Sequence, residues 1–200
     1  LRYYIAAKLN ANVEDLDFNP DDFLARVNSD LVGKFVNIAS RCAPFISKRF
    51  GGKLHGVALK KNAAADVASN VRHAAPEIAA AYDAREFGRA MRRIMELADE
   101  VNRFVDAEKP WELARLPGHE ARLHVVCSEA IEAFRFLAIL LAPVLPRTAE
   151  QAARLLGVKP FTWGDLGKFL GENHAIAQYQ HLLTRVEARQ LDALFDVAAV

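Results

Sequence analysis

An amide and a guanidinium lie four residues apart in the most regularly patterned stretch of this 200-residue sequence, as Asn37 and Arg41. Side chains at this spacing on a helix project side by side. Together they can read the hydrogen-bonding edge of an unpaired base and hold a phosphate. On spacing alone a solvated helix face is the more common outcome, because charged faces usually have no other role.

Trp111 is the second candidate, since it follows Lys109-Pro110 at a point where the helical pattern stops. A tryptophan outside an apolar stripe is either a core residue or a surface on which a base can stack. Pro110 fixes the backbone there and should hold the indole at the rim of the fold. We therefore expect Trp111 to be at least partly exposed, on the same side as Asn37 and Arg41, with open surface between them.

Metal and catalytic chemistry have weaker candidates. His124 and Cys127 lie one helical turn apart with His119 nearby, which is only a partial ligand set for zinc. Cys127 also falls on the expected core face of its helix. Neither CxxC nor HExxH occurs, and no glycine-rich loop fits GxxxxGK[ST]. The sequence predicts neither a metal ligand nor a catalytic residue.

The polar pair lies on a long predicted helix over about Asn19–Phe50. Asn19 can cap this helix, Pro20 suits its first position, and a Gly-Gly pair ends it. Pro44 lies well inside the helix, where it lacks an N–H and crowds the carbonyl of Ser40. We expect a kink at this point and not an end, because the apolar residues keep their helical phase beyond it.

Helical periodicity also covers most of the remaining chain, over residues 1–10, 63–82, 85–106, 120–141, 146–156 and 179–197. Pro76 either kinks the second of these segments or begins a new helix, and both alternatives stay open. The only plausible extended piece lies near 159–169. The pattern predicts an all-α antiparallel helix bundle with short connections and at most this minor extended piece.

Composition limits the function less than pattern does. With 52% hydrophobic and 26% charged residues and a net charge of +1, the chain is not a strongly basic nucleic-acid binder, so any such role depends on local charge placement. Its two cysteines lie in apolar stripes, which indicates a reducing, cytoplasmic location. No apolar run is long enough to span a membrane. The first residues read as the interior of a helix, so we expect a fragment of a longer protein.

Several motifs together resemble a known family. NRFV at Asn102–Val105, followed after four residues by Pro110-Trp111, resembles the signature of the helical anticodon-binding domain in the methionyl, isoleucyl, valyl, leucyl and cysteinyl branch of class I aminoacyl-tRNA synthetases. LAPVLP at Leu141–Pro146 resembles the helix–Pro–helix junction of that domain. NIASR at Asn37–Arg41 with FISKRF at Phe45–Phe50 is similar to the methionyl-tRNA synthetases in particular.

This resemblance covers essentially the whole chain and implies that residues 1–200 are one anticodon-binding domain. The whole enzyme would join methionine to its tRNA with ATP and magnesium, and the partners of this domain would be the anticodon loop of tRNA(Met) and the catalytic domain of the same chain. The resemblance implies that Asn37 and Arg41 read the CAU anticodon, chiefly its first base, and that Trp111, supported by Pro110, stacks a base. HIGH-type and KMSKS-type signatures do not occur, so we expect no catalytic residue and no cofactor in this part.

Three alternatives remain. The chain could be the same domain of a sister synthetase, which tRNA preference would reveal. It could be a helical protein-interaction module, which predicts a contiguous exposed apolar patch and not an exposed Trp111 flanked by Arg41. It could be a small metalloenzyme around His124 and Cys127, which a metal analysis would test.

Overall fold

The computed structural model describes residues 1–12, 15–56 and 66–195. It confirms the all-α prediction, with helices α1 (Arg2–Lys8), α2 (Pro20–Arg26), a π-helix (Val27–Val36), α3 (Asn37–Arg49), α4 (Val67–His73), α5 (Ala75–Asp83), α6 (Phe87–Glu108), α7 (Pro110–Leu113), α8 (Glu120–Leu141), α9 (Pro146–Leu155), a 3₁₀-helix (Trp163–Gly167) and α10 (Ala188–Phe195). A turn at Ala74 separates α4 from α5, so Pro76 lies in the first turn of a new helix.

Helix α8 is the centre of the bundle. Every residue from Val126 to Leu141 is buried, and α3, α4 and α6 pack around it. A helix that is apolar on all sides is buried on all sides, and α8 has only three charged residues in this stretch. The Phe134 ring stacks on Phe35 of the π-helix with 4.8 Å between ring centroids. This contact fixes the predicted site region against the core.

The predicted long helix is observed as three consecutive helical segments from Pro20 to Arg49, which we call the long helical segment. Its cap is as predicted, since the Asn19 side chain accepts from the Asp22 amide at 2.9 Å. The helix continues through Pro44. The π-helix was not predicted. Its Gly33 fits closely, because a Cβ there would lie 3.2 Å from the Asn28 carbonyl oxygen.

The long helical segment and α6 run in the same direction. Three side-chain contacts join residues that are each 65 positions apart, namely Lys34–Asp99, Asn37–Asn102 and Arg41–Asp106. A constant offset is possible only for parallel neighbours. Helix α8 is antiparallel to both, so the bundle is antiparallel around its centre while the two helices that carry the polar residues are parallel to each other.

Residues 171–187, which we call the strap, are not helical and run back along the long helical segment. The strap pairs with the residues that follow that segment, where the Leu54 amide donates to His174 O at 2.8 Å and an antiparallel bridge joins Lys53 to Ala175. At the other end the Asn28 side chain exchanges two hydrogen bonds with the backbone of Val186, at 2.9 and 2.8 Å.

The sequence allowed at most a minor extended piece near 159–169, and the structure has a 3₁₀-helix there, which a capping box of Thr162 and Asp165 begins. One prediction about the C-terminal third was wrong. The helix predicted over 179–197 begins only at Ala188, because hydrogen bonds to Asn28 hold the chain extended before it. Residues 63–65 and 196–197 of the predicted helices lie outside the described residues.

Candidate nucleic-acid interface

The structure brings Asn37, Arg41 and Trp111 to one place. Helix α6 ends at Glu108, the left-handed conformation of the next residue, Lys109 (φ 46°), turns the chain, and Pro110 begins α7. The residue before a proline is disfavoured in the right-handed helical conformation, which explains why α6 ends here. The turn carries the Trp111 ring over to Arg41 in α3, whose guanidinium carbon lies 4.7 Å from the ring centroid.

Pro110 is buried and Trp111 is partly exposed, on the same side as Arg41. The Lys109 carbonyl oxygen accepts from the amides of Glu112 and Leu113, which fixes the turn. Trp111 also packs against the core. The indole is therefore held rigidly at the rim of the bundle, in the position that the proline suggested.

The expected open surface between Arg41 and Trp111 is not found. The guanidinium lies directly over the indole and forms an ion pair with Asp106. The negative face of an aromatic ring attracts a cation, and Asp106 supplies a second reason for this placement. Asp106 is 61% exposed, however, and Arg41 is 23% exposed. An ion pair this open to water is weak, so Arg41 can leave it at small cost.

Asn37 is held by Asn102 of α6, to whose Oδ1 it donates a hydrogen bond of 3.0 Å. Asn102 and Asp106 were not predicted as site residues, although Asn102 begins the NRFV motif. Their places depend on the register between the two parallel helices. That register is set by packing, and nothing in the local sequence reveals it.

The crevice between the two helices is polar and almost balanced in charge. Lys34 Nζ lies 2.8 Å from Asp99 and 3.7 Å from Asp30. The hydrogen bond to Asp99 raises the pKa of Lys34 above its ordinary value. Because Lys34 and Arg41 already have acidic partners, the site presents little uncompensated positive charge. Its chemistry is that of a few directed hydrogen bonds beside an aromatic ring.

The candidate metal ligands do not converge. His124 stacks on Phe50 with 4.0 Å between ring centroids, and its Nε2 lies 2.7 Å from Lys53 O. Cys127 is buried against Cys42, and the contact with that thiol together with burial raises its pKa. Within the described ranges no three His, Cys, Asp or Glu side chains are grouped so that they could hold a metal ion.

The large apolar side chains that are well exposed come from separate parts of the described chain, namely Leu1, Leu9, Phe18, Leu116 and Trp163. Near the candidate site Trp111 is only partly exposed, and the Arg41 guanidinium lies over its ring. None of the described helices combines the length and hydrophobicity needed to cross a membrane.

Comparison with known proteins identifies relatives over the whole chain. The family model of the class I tRNA synthetases (M) matches residues 1–43. Methionine–tRNA ligase of Herminiimonas arsenicoxydans is 56% identical over 100% of this chain, and that of Burkholderia cenocepacia is 54% identical over 97%. The chain spans only 28% and 26% of the length of these two relatives.

Solved structures share the fold. The free state of Mycobacterium tuberculosis methionyl-tRNA synthetase superposes with a TM-score of 0.80 over 93% of this chain and 38% of its own length, at 21% identity. The same synthetase in complex with methionyl-adenylate gives a TM-score of 0.75 over 84% of this chain and 34% of its own, at 22% identity. With relatives at 54–56% identity over nearly all of its residues, the chain belongs to the methionyl-tRNA synthetase family, of whose members it represents about a quarter of the length.

Proposed function

We propose that this chain is the anticodon-binding domain of an enzyme that attaches methionine to tRNA(Met), and that it recognises the CAU anticodon. The observation that carries the proposal is the stack of Arg41 on Trp111 beside Asn37 at the rim of the bundle. An unpaired base needs an aromatic face and directed hydrogen bonds, and this cluster supplies both. ATP and magnesium would act in a catalytic domain elsewhere in the same cytoplasmic protein.

Each residue of the cluster has a distinct role in this proposal. Trp111 stacks a base, with Pro110 fixing the turn beneath it. Arg41 exchanges Asp106 for the base edge, since the ion pair to the exposed Asp106 is weak and the guanidinium is already at the ring. Asn37 supplies the second hydrogen bond to the same base.

Arg41→Ala in the full-length protein should weaken the preference for a CAU anticodon stem-loop over one with its first base changed. Loss of a directed base contact costs about 1–3 kcal/mol of discrimination. The melting temperature should stay close to that of the unaltered protein, because the ion pair with Asp106 is solvent-exposed. Equilibrium binding to the two stem-loops measures the discrimination.

Arg89→Ala is the matched control. Arg89 is an exposed arginine near the start of α6, roughly 25 Å along the helix from Asp106. The Arg89→Ala substitution removes the same charge as Arg41→Ala and should lower binding to both stem-loops equally. If Arg41→Ala lowers the melting temperature and keeps the base preference, the Arg41–Trp111 stack is structural and the proposed function loses its main support.

Binding of the unaltered protein should depend only mildly on salt. Lys34 and Arg41 already have acidic partners, so few phosphates can be neutralised without breaking ion pairs. We expect a slope of log affinity against log salt equivalent to about two to four released ions. A titration of stem-loop binding across salt concentrations measures it. A much steeper slope would place the RNA on a different, more basic surface.

A further inference from the structure

Asn102 occupies a position in which its amide can have only one orientation. Its Nδ2 donates to two backbone carbonyl oxygens, Lys34 O at 3.0 Å and Ala98 O at 2.9 Å. Carbonyl oxygens only accept, so the NH₂ group must face them. The Oδ1 atom of Asn102 is thereby directed at Asn37, where it lies 3.0 Å from Nδ2.

This arrangement fixes the orientation of Asn37 in turn. Because Asn102 offers it an acceptor, Asn37 must present its own NH₂ group on that side. The single acceptor of the side chain, Oδ1, then lies on the side away from Asn102. Within the part of the chain that the structure describes, no side chain or backbone amide is seen to donate to it.

We propose that Asn102 is a positioning residue that fixes Asn37 as a hydrogen-bond acceptor and so selects a base bearing an amino group at the first anticodon position. The inference rests on the proposed function, in which Asn37 and Arg41 read that base. Cytosine offers an exocyclic amine to the Asn37 oxygen, while its N3 and O2 accept from the Arg41 guanidinium. Uracil has a carbonyl oxygen where cytosine has the amine.

The selection against uracil follows from this geometry. A uracil placed in the same way would set its O4 against Oδ1 of Asn37, so two acceptors would face each other without a proton between them. An unconstrained asparagine avoids this conflict by rotating its amide through half a turn. Asn102 prevents the rotation, because a rotated Asn37 would set its oxygen against that of Asn102.

The test compares stem-loops with CAU and UAU anticodons bound to the full-length protein. Asn102→Ala should reduce the preference for cytosine by about tenfold, mainly through tighter binding of the UAU loop. Asn70→Ala removes the same side chain at an exposed position of α4, and as the control it should leave the ratio unchanged. A purely structural role of Asn102 would weaken binding of both loops alike, and that result would overturn the inference.

A rescue experiment separates orientation from packing. A carboxylate accepts hydrogen bonds in either orientation, so adding Asn37→Asp to Asn102→Ala should restore the preference for cytosine. A ratio that stays low in the double variant would also contradict the inference. If the unaltered protein shows no preference for CAU over UAU, the proposed function itself fails. If it shows the preference and Asn102→Ala keeps it, only the role of Asn102 is lost.

Discussion

Arg135→Ala should lower the free energy of unfolding by about 3–5 kcal/mol, because it leaves a buried carboxylate without its cation. Arg135 and Glu132 of α8 are 4% and 1% exposed, with Arg135 Nε 2.8 Å from Glu132 Oε1. Burial raises the pKa of Glu132, and the Arg135 charge counters that rise. Without Arg135 the carboxylate must either stay buried and charged or take up a proton, and both are unfavourable. Urea unfolding measures the change.

The same substitution should also weaken RNA binding, through the chain that Arg135 and Glu132 anchor. Its guanidinium donates to the carbonyls of Asp165 and Lys168, and Glu132 accepts from the Leu170 amide at 3.2 Å. The buried pair therefore anchors the chain just before the strap. The strap in turn pairs with Lys53 and Leu54, which follow the long helical segment that carries Asn37 and Arg41.

An exposed arginine provides the comparison. Arg93 of α6 contacts Glu77 and Glu96 at the surface, and such pairs are worth at most about 1 kcal/mol. Arg93→Ala should therefore change the free energy of unfolding only slightly. Adding Glu132→Gln to Arg135→Ala removes the stranded charge and should recover part of the loss. Equal losses for Arg135→Ala and Arg93→Ala would show that the buried pair contributes no more than a surface pair.

The sequence predicted those features that depend on local periodicity and capping. The predicted bounds of Glu120–Leu141 coincide with α8, and the Asn19 cap of the long helical segment was predicted. Apolar repeats and capping residues act within a few positions, so they can be read from one stretch of chain. The placement of Trp111 at the rim followed in the same way from Pro110.

Features that depend on contacts between distant segments could not be predicted. Glu132 and Arg135 have the spacing of an ordinary surface ion pair, and only the surrounding helices make them buried. The partners of Asn37 and Arg41 lie 65 residues away, at positions fixed by the parallel packing of two helices. Asp106 likewise explains why Arg41 covers Trp111 where open surface was expected.

Glu129→Gln should remove a pH dependence of stability that the unaltered protein shows between about pH 4.5 and 7. Glu129 of α8 is 9% exposed and accepts from the Val67 amide at 2.7 Å, at the first residue of α4. Burial raises its pKa from 4.5 to about 7, against the lowering effect of that amide. Asp66 and Glu108 raise the pKa further, and Arg122 lowers it.

The sign follows from the protons bound in each state. Between the two pKa values the folded protein keeps a proton on Glu129 that the unfolded chain has released, so folding is most favoured below pH 4.5 and loses stability as the pH rises to about 7. The loss amounts to about 3 kcal/mol and is complete above that range.

The side chain introduced by Glu129→Gln stays neutral and still accepts from Val67, so this contribution should vanish and the variant should be the more stable protein at pH 8. Urea unfolding between pH 4.5 and 8 measures both proteins, with the exposed Glu96→Gln as the control. Parallel curves for the unaltered protein and Glu129→Gln would show that Glu129 is ionised throughout, and its hydrogen bond to α4 would then be charge-assisted at every pH tested.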